Sequence, residues 1–178
     1  MNNCLVYKSS KLVPYTDNHH LKTVEWLNKP EVYESFGLTK KITIDSHSEW
    51  INSLRNTYIW AVYSTDNDIH CGNLLLFYNP LHHSAFFQIY LGEPKSRGKK
   101  LGYYSLIAVL EYAFETLKLN RIWLQVFPDN KNAINLYEKL GFVREGVERE
   151  SHYSNSLFKD QLRYSILKRE WMIRKEAY

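Results

Sequence analysis

Apolar positions recur along this chain with two different periods, and the places where the period changes mark its elements. Tyr58 to Tyr63, Cys71 to Tyr78 and Ala85 to Leu91 are strand-length apolar runs rich in aromatic and β-branched residues. The turn signals Asp66-Asn67-Asp68 and Asn79-Pro80 separate them, so they read as an antiparallel meander. After Gly102 the spacing changes to three and four, with Leu106, Leu110, Ala113, Phe114 and Leu117, which predicts a helix over 103–118. Arg121 to Phe127 returns to strand, Asn130 to Leu140 to helix closed by Gly141, and Phe142 to Val147 with Phe158 to Leu167 to a final strand pair. Near the start, residues 4–7 and 12–15 suit a strand and a short return. Leu21, Val24, Trp26 and Leu27 suggest a helix that Pro30 interrupts. Ser46 followed by Glu49 matches a capping box, with Trp50, Ile51 and Leu54 as the buried stripe of a second helix. The order is strand, two helices, three strands, helix, strand, helix, two strands. Such a chain is an α/β (α+β) protein with a mixed, mostly antiparallel, twisted central sheet of about seven strands and helices on both faces.

Length and composition narrow the function classes. The 178 residues suit one domain, 1–178, and 44% hydrophobic with 24% charged residues is an ordinary globular balance. The net charge of +4 is a modest excess, more like a solvated surface than a nucleic-acid stripe. Its one dense basic run is Lys95, Arg97, Lys99 and Lys100. Cys4 and Cys71 lie in apolar segments without metal-ligand or redox spacing, which suggests buried thiols and no metal site. The N-terminus lacks the pattern of a signal peptide and no window approaches a membrane span, so the expectation is a cytoplasmic protein away from the membrane.

The basic run has a chemical use. A pyrophosphate-bearing cofactor needs backbone N–H groups at close range and the positive end of a helix. Ser96-Arg97-Gly98-Lys99-Lys100-Leu101-Gly102 lies between a strand and the most regular helix of the chain. Here the sequence resembles the GNAT (GCN5-related) N-acetyltransferase superfamily, whose acetyl-CoA signature is Gln or Arg, two residues, Gly, one residue, then Gly or Ala. Arg97 and Gly102 match the outer positions, and Lys100 stands in the slot where the middle glycine is usual. If that slot requires positive φ, the lysine is strained there.

A second block, Asp129-Asn130-Lys131-Asn132-Ala133-Ile134-Asn135-Leu136-Tyr137-Glu138-Lys139-Leu140-Gly141-Phe142, resembles the family's downstream motif. The resemblance makes Tyr137 the general acid. Attack of an amine on a thioester expels a thiolate, and a phenol with pKa about 10 held beside a sulfur with pKa about 8.5 is a suitable proton donor. A packing role for Tyr137 beside Ile134 and Leu140 is the alternative from spacing alone. In the family, the strand of Phe87-Gln88-Ile89-Tyr90-Leu91 splays from its neighbour and pairs with the pantetheine arm. The resemblance therefore implies acetyl-CoA contacts at Gln88, Ile89, Tyr90, Leu91, Arg97, Gly98, Lys99, Lys100, Leu101, Gly102, Tyr103, Asn130 and Tyr137. The family's glutamate base falls at Phe86, which takes no proton, leaving a water relay to His82, His83 or Glu93, or an amine that arrives neutral.

The N-terminal half, with Leu12 to Tyr15, Trp26 to Val32, His47 and Trp50, looks like the RimJ/RimL-like branch, and the chain is also similar to polyamine and amino-sugar-nucleotide acetyltransferases. The resemblance implies acetyl transfer from acetyl-CoA to a primary amine by direct attack in a ternary complex. The acceptor is expected to be a small molecule such as an amino-sugar nucleotide or a polyamine, and the protein a monomer or homodimer. Arg144, Arg149, His152 and Tyr153 favour an anionic acceptor. A protein N-terminal amine, and an inactive acyl-CoA-binding module, are the alternatives.

Overall fold

In a computed structural model, residues 3–96 and 98–177 are described, and they divide into two compact units. One comprises residues 1–77 and 88–109, the other 78–87 and 110–178.

The first unit opens with β1 (Leu5–Tyr7) and β2 (Ser10–Pro14), continues through α1 (His20–Leu27), α2 (Pro30–Ser35) and α3 (Ile44–Ser53), and then takes β3 (Thr57–Ser64). β4 (Ile69–Asn79) and β5 (Ser84–Leu91) each pass from one unit to the other, and α4 (Leu101–Glu111) begins in the first. β1, β2, β3 and β4 pair antiparallel in that order, with registers Leu5↔Leu12, Leu12↔Val62 and Trp60↔Leu74. Alternation puts Leu12, Trp60, Leu74 and Leu76 on inward positions, where they are fully buried with Leu101, Leu106 and Ile107 of α4.

Three local features differ from the sequence expectation. α1 ends before Pro30 as expected, but Pro30 is also the first residue of a further helix, α2, where its fixed φ and missing N–H cost nothing. The capping box of α3 is Thr43 with Ser46, not Ser46 with Glu49. The Ser46 amide donates to Thr43 Oγ1 at 3.1 Å and the Thr43 amide to Ser46 Oγ at 3.0 Å. Leu21 is exposed, and the inward side of α1 is His20, Thr23, Trp26 and Leu27.

In the second unit, Ser84, Ala85 and Phe86 of β5 pair parallel with Arg121, Ile122 and Trp123 of β6 (Arg121–Val126). β6 pairs antiparallel with β8 (Leu157–Leu167), and β8 with β7 (Val143–Ser154). A parallel pair demands a crossover connection, which α4 and a following π-helical turn, Tyr112–Thr116, supply. The Leu117 amide reaching back to the Tyr112 carbonyl at 3.0 Å closes that turn. α5 (Lys131–Lys139) precedes β7, and α6 (Lys168–Arg174), absent from the sequence reading, follows β8 and buries Trp171 completely beside Phe114. The described residues thus hold eight strands rather than about seven, mostly antiparallel. The N-terminal segment forms two strands, joined through Lys8 at a φ of 49°.

Candidate active site

The segment from β5 to α4 in the first unit has the features that diphosphate binding requires. Gly98 adopts a φ of 76° and an added Cβ there would meet nothing within 4 Å, so the loop's backbone is open on that side. Lys100 adopts a φ of 57°, the left-handed conformation that the glycine slot of the motif accommodates. The Tyr104 amide closes the first helical bond onto the Lys100 carbonyl at 3.0 Å. The amides of Leu101, Gly102 and Tyr103 therefore lie in the first turn of α4, at the positive end of the helix dipole. The Leu101 side chain is buried, so it can offer a ligand only its backbone, whereas Lys99 and Lys100 are exposed. Arg97 lies outside the described residues.

β5 changes character midway. Its ladder with β6 runs only from Ser84 to Phe86. Its burial alternation, with Ala85 and Phe87 inward, then slips so that Tyr90 is the next buried residue and Gln88 and Ile89 are both half-buried. Such a slip is the signature of an irregular strand whose backbone groups are not all committed to the sheet.

Beside Gln88 and Tyr90 the first unit encloses a cavity of about 390 Å³. One side is a network of satisfied, uncharged groups. Asn73 donates to Thr23 Oγ1 at 2.8 Å and to the Tyr90 hydroxyl at 2.7 Å, and the Tyr15 hydroxyl donates to Thr23 Oγ1 at 3.0 Å. His70 Nε2 donates to Asn73 Oδ1 at 2.9 Å, fixing the amide's orientation. Burial raises the Tyr90 hydroxyl well above the ordinary phenol range and pushes Tyr15 up to about 12, so both stay protonated. The other walls are apolar or aromatic and include Phe36, Trp50, Ile51 and His47. Trp50 is 41% exposed and Ile51 half-buried, so the stripe expected to pack α3 into a core instead borders this cavity.

In the second unit, Tyr137 sits in the last turn of α5. Asn130 caps the start of the helix, its Oδ1 accepting from the Ala133 amide at 3.2 Å. Gly141, at a φ of 91°, closes the end. The Gly141 amide reaches the Glu138 carbonyl and the Phe142 amide reaches the Tyr137 carbonyl, both at 3.0 Å, the paired bonds of a Schellman cap. The Phe142 ring follows that turn to 5.9 Å from the Tyr137 ring, with Phe87 edge-on at 5.7 Å. The run Glu138 to Phe142 is thus a device for holding Tyr137 in place. Its hydroxyl has no hydrogen-bond partner among the described residues, and burial raises it far above the ordinary phenol value.

A family model for the acetyltransferase (GNAT) domain matches residues 11–143. The chain belongs to the GNAT acetyltransferases. An N-acetyltransferase 9-like protein of Nematostella vectensis is 31% identical over 147 residues, 75% of this chain and 74% of that one. The spermidine N(1)-acetyltransferase of Vibrio cholerae is 36% identical over 102 residues, 57% of this chain and 58% of that one. A solved Vibrio cholerae spermidine N-acetyltransferase in complex with CoA and spermine superposes with a TM-score of 0.85 at 25% identity, covering 93% of this chain and 99% of that one. The protein is accordingly an acyl-CoA-dependent N-acetyltransferase, and no helix among its described residues is long and apolar enough to cross a membrane.

Within this GNAT acetyltransferase the candidate bases fare differently. His82 and His83 stand exposed on the turn before β5. Burial raises the Glu93 carboxyl, but bonds from the Lys95 amide and Lys22 outweigh it and hold Glu93 below its ordinary value, which makes it a poor proton acceptor. Phe86 packs on Trp123 with ring centroids 4.6 Å apart. Arg144, Arg149 and Tyr153 are exposed on β7, and His152 lies edge-on to Phe127 at 5.2 Å. Cys4 is exposed, contrary to the expectation of two buried thiols; Cys71 is buried.

Sequence reasoning named His47 only through a family resemblance and did not find the buried histidine cluster. His19, His20, His47 and His70 are all buried, His20 edge-to-face with His47 and His19 with His70, each pair at 5.0 Å. Only the spacing of His20, Thr23 and Leu27 at three and four could have signalled an inward face.

Proposed function

We propose that residues 1–178 act as one GNAT domain that transfers the acetyl group of acetyl-CoA to a primary amine of a small molecule by direct attack in a ternary complex. The reading is carried by the loop before α4, where Gly98 and Lys100 both adopt positive φ ahead of the helix's first turn. In this reading the amides of residues 101–103 hold the diphosphate, with Arg97, Lys99 and Lys100 adding charge-assisted attraction. The irregular Gln88–Leu91 stretch offers backbone groups to the amides of the pantetheine arm, and the cavity beside it takes the acceptor.

The amine nitrogen attacks the thioester carbonyl carbon and a tetrahedral intermediate forms. The carbon–sulfur bond then breaks, the sulfur takes the Tyr137 hydroxyl proton, and the new amide nitrogen loses one proton to solvent, from which Tyr137 is reprotonated. The burial that raises Tyr137 serves this role. It keeps the phenol protonated in the resting state. It also makes the phenol a weaker acid, so transfer to the sulfur requires a thiolate as poorly solvated as the phenol itself. Polyamines, amino-sugar nucleotides and protein N-terminal amines are the acceptor classes to weigh.

The experiment is release of CoA thiol against a panel of amines, with calorimetry of CoA binding. Tyr137→Phe is expected to lower turnover by about 10²-fold or more while CoA affinity changes less than about threefold. Unchanged turnover would remove Tyr137 from the chemistry. CoA binding without thiol release from any amine would mark an inactive acyl-CoA-binding module.

A further inference from the structure

Among the described residues, the walls of the cavity beside β5 contain no Asp, Glu, Lys or Arg. Polycations and polyanions therefore meet the same obstacle. Moving each ammonium of a polyamine from water into this space costs several kcal/mol unless a carboxylate meets it. A nucleotide's diphosphate would need an arginine, a lysine or free backbone amides on the wall. The groups that do line the space suit another kind of guest: flat or branched apolar surfaces from Tyr15, Phe36, Trp50 and Ile51, which bind uncharged rings and alkyl groups by area.

Two neutral polar side chains in the lining are uncommitted. His47 is 4% exposed, and its Nδ1 has no hydrogen-bond partner among the described residues. The Gln88 carboxamide is half-buried, and it too has no partner among the described residues. The other polar groups, Asn73, Thr23, Tyr90 and Tyr15, satisfy one another. A buried polar atom left unpaired costs about 1–3 kcal/mol, which a ligand group that pairs with it recovers.

We propose that the acceptor is a primary amine on an uncharged apolar or aromatic body, seated in this cavity with its polar substituents or its amine meeting His47 and Gln88. The inference rests on the reading of the cavity as the acceptor site. It also accounts for the phenylalanine in the family's glutamate position. An apolar cavity disfavours the ammonium form, so the amine enters neutral, and the proton lost after attack can leave to solvent without a carboxylate.

The test compares thiol release from acetyl-CoA by the full chain with 2-phenylethylamine, spermidine and a uridine-diphosphate amino sugar. The expected kcat/KM for 2-phenylethylamine exceeds both others by about 10²-fold. Trp50→Ala, at a partly exposed site, is expected to lower it about 10-fold with CoA affinity unchanged. Ser46→Glu places a carboxylate at the third residue of α3, on the cavity wall. It is expected to raise spermidine turnover at the expense of 2-phenylethylamine. Spermidine or the nucleotide sugar turning over as fast as 2-phenylethylamine would overturn the inference and leave acetyl transfer standing. Thiol release from none of them, with CoA still bound, would overturn both.

Discussion

At the scale of single residues, Lys100 shows how a departure from a motif can keep the motif's geometry. A lysine at a φ of 57° carries roughly 1–2 kcal/mol of left-handed strain, a cost tolerated when the position also serves binding. Replacing it with glycine removes the strain but frees the unfolded chain, which offsets part of the gain. Lys100→Gly is therefore expected to raise the unfolding free energy by about 0.5 kcal/mol, read as a small upward shift of the urea midpoint. If the ammonium helps to hold a diphosphate, CoA affinity falls by roughly 3–5-fold at low salt and the difference narrows at high salt. A lower urea midpoint would mean that the lysine side chain has stabilising contacts of its own. An affinity difference that persists undiminished at high salt would argue against attraction between exposed charges.

At the scale of elements, what could be read in advance depended on whether a face was built from apolar residues. α4 and α5 were legible because Leu106, Leu110, Ile134 and Leu140 repeat at helical spacing, and the strands because aromatic and β-branched runs alternate with turns. α1 and α3 were legible only in part. Their inward positions include His20 and His47, which a hydrophobic pattern scores as solvent-facing although both are buried. α2 was hidden by a proline read as a breaker, and α6 by having one buried residue, Trp171. The loop and α5 were visible through their motif residues, whereas the cavity was not, because residues from α1, the α2–α3 connection, α3, β3, β4 and β5 meet there only after folding.

The end of α5 gives the element-scale prediction. Gly141→Ala places a Cβ at a φ of 91° and 2.6 Å from Arg174 Cδ. The arginine can swing away, so the strained backbone dominates and the expected loss is about 1–2 kcal/mol by urea unfolding. The cap's carbonyl acceptor is Tyr137 itself, so kcat is expected to fall several-fold where CoA affinity does not. Loss of stability with kcat intact would show that the cap supports the fold without setting the tyrosine's position.

Across the whole molecule, the buried histidines set how stability depends on pH. Burial, with the nearby His20 adding, pushes His47 down to about 4. Burial also takes His70 to about 4, against the bonds to Asn73 and Gly72. Burial lowers His19 as well, partly opposed by its bond to Thr16. In the unfolded chain each titrates near 6.5, so between about 6.5 and 4 the unfolded state binds more protons and stability rises with pH. The full contribution is present above about 6.5 and is lost as pH falls, with a slope approaching 1.4 kcal/mol per pH unit for each histidine. Glu93, Glu115 and Glu145 are held below the ordinary carboxylate value, so their contribution fades in a lower window. The urea midpoint is therefore expected to stay level from pH 8 to 7 and to fall steeply between pH 6 and 4.5. His47→Gln, which removes one titrating ring, should make that fall shallower by about one histidine's share. A midpoint unchanged down to pH 5 would mean that these rings take up protons in the folded protein, and the uncharged cavity that His47 lines would then acquire positive charge in mild acid.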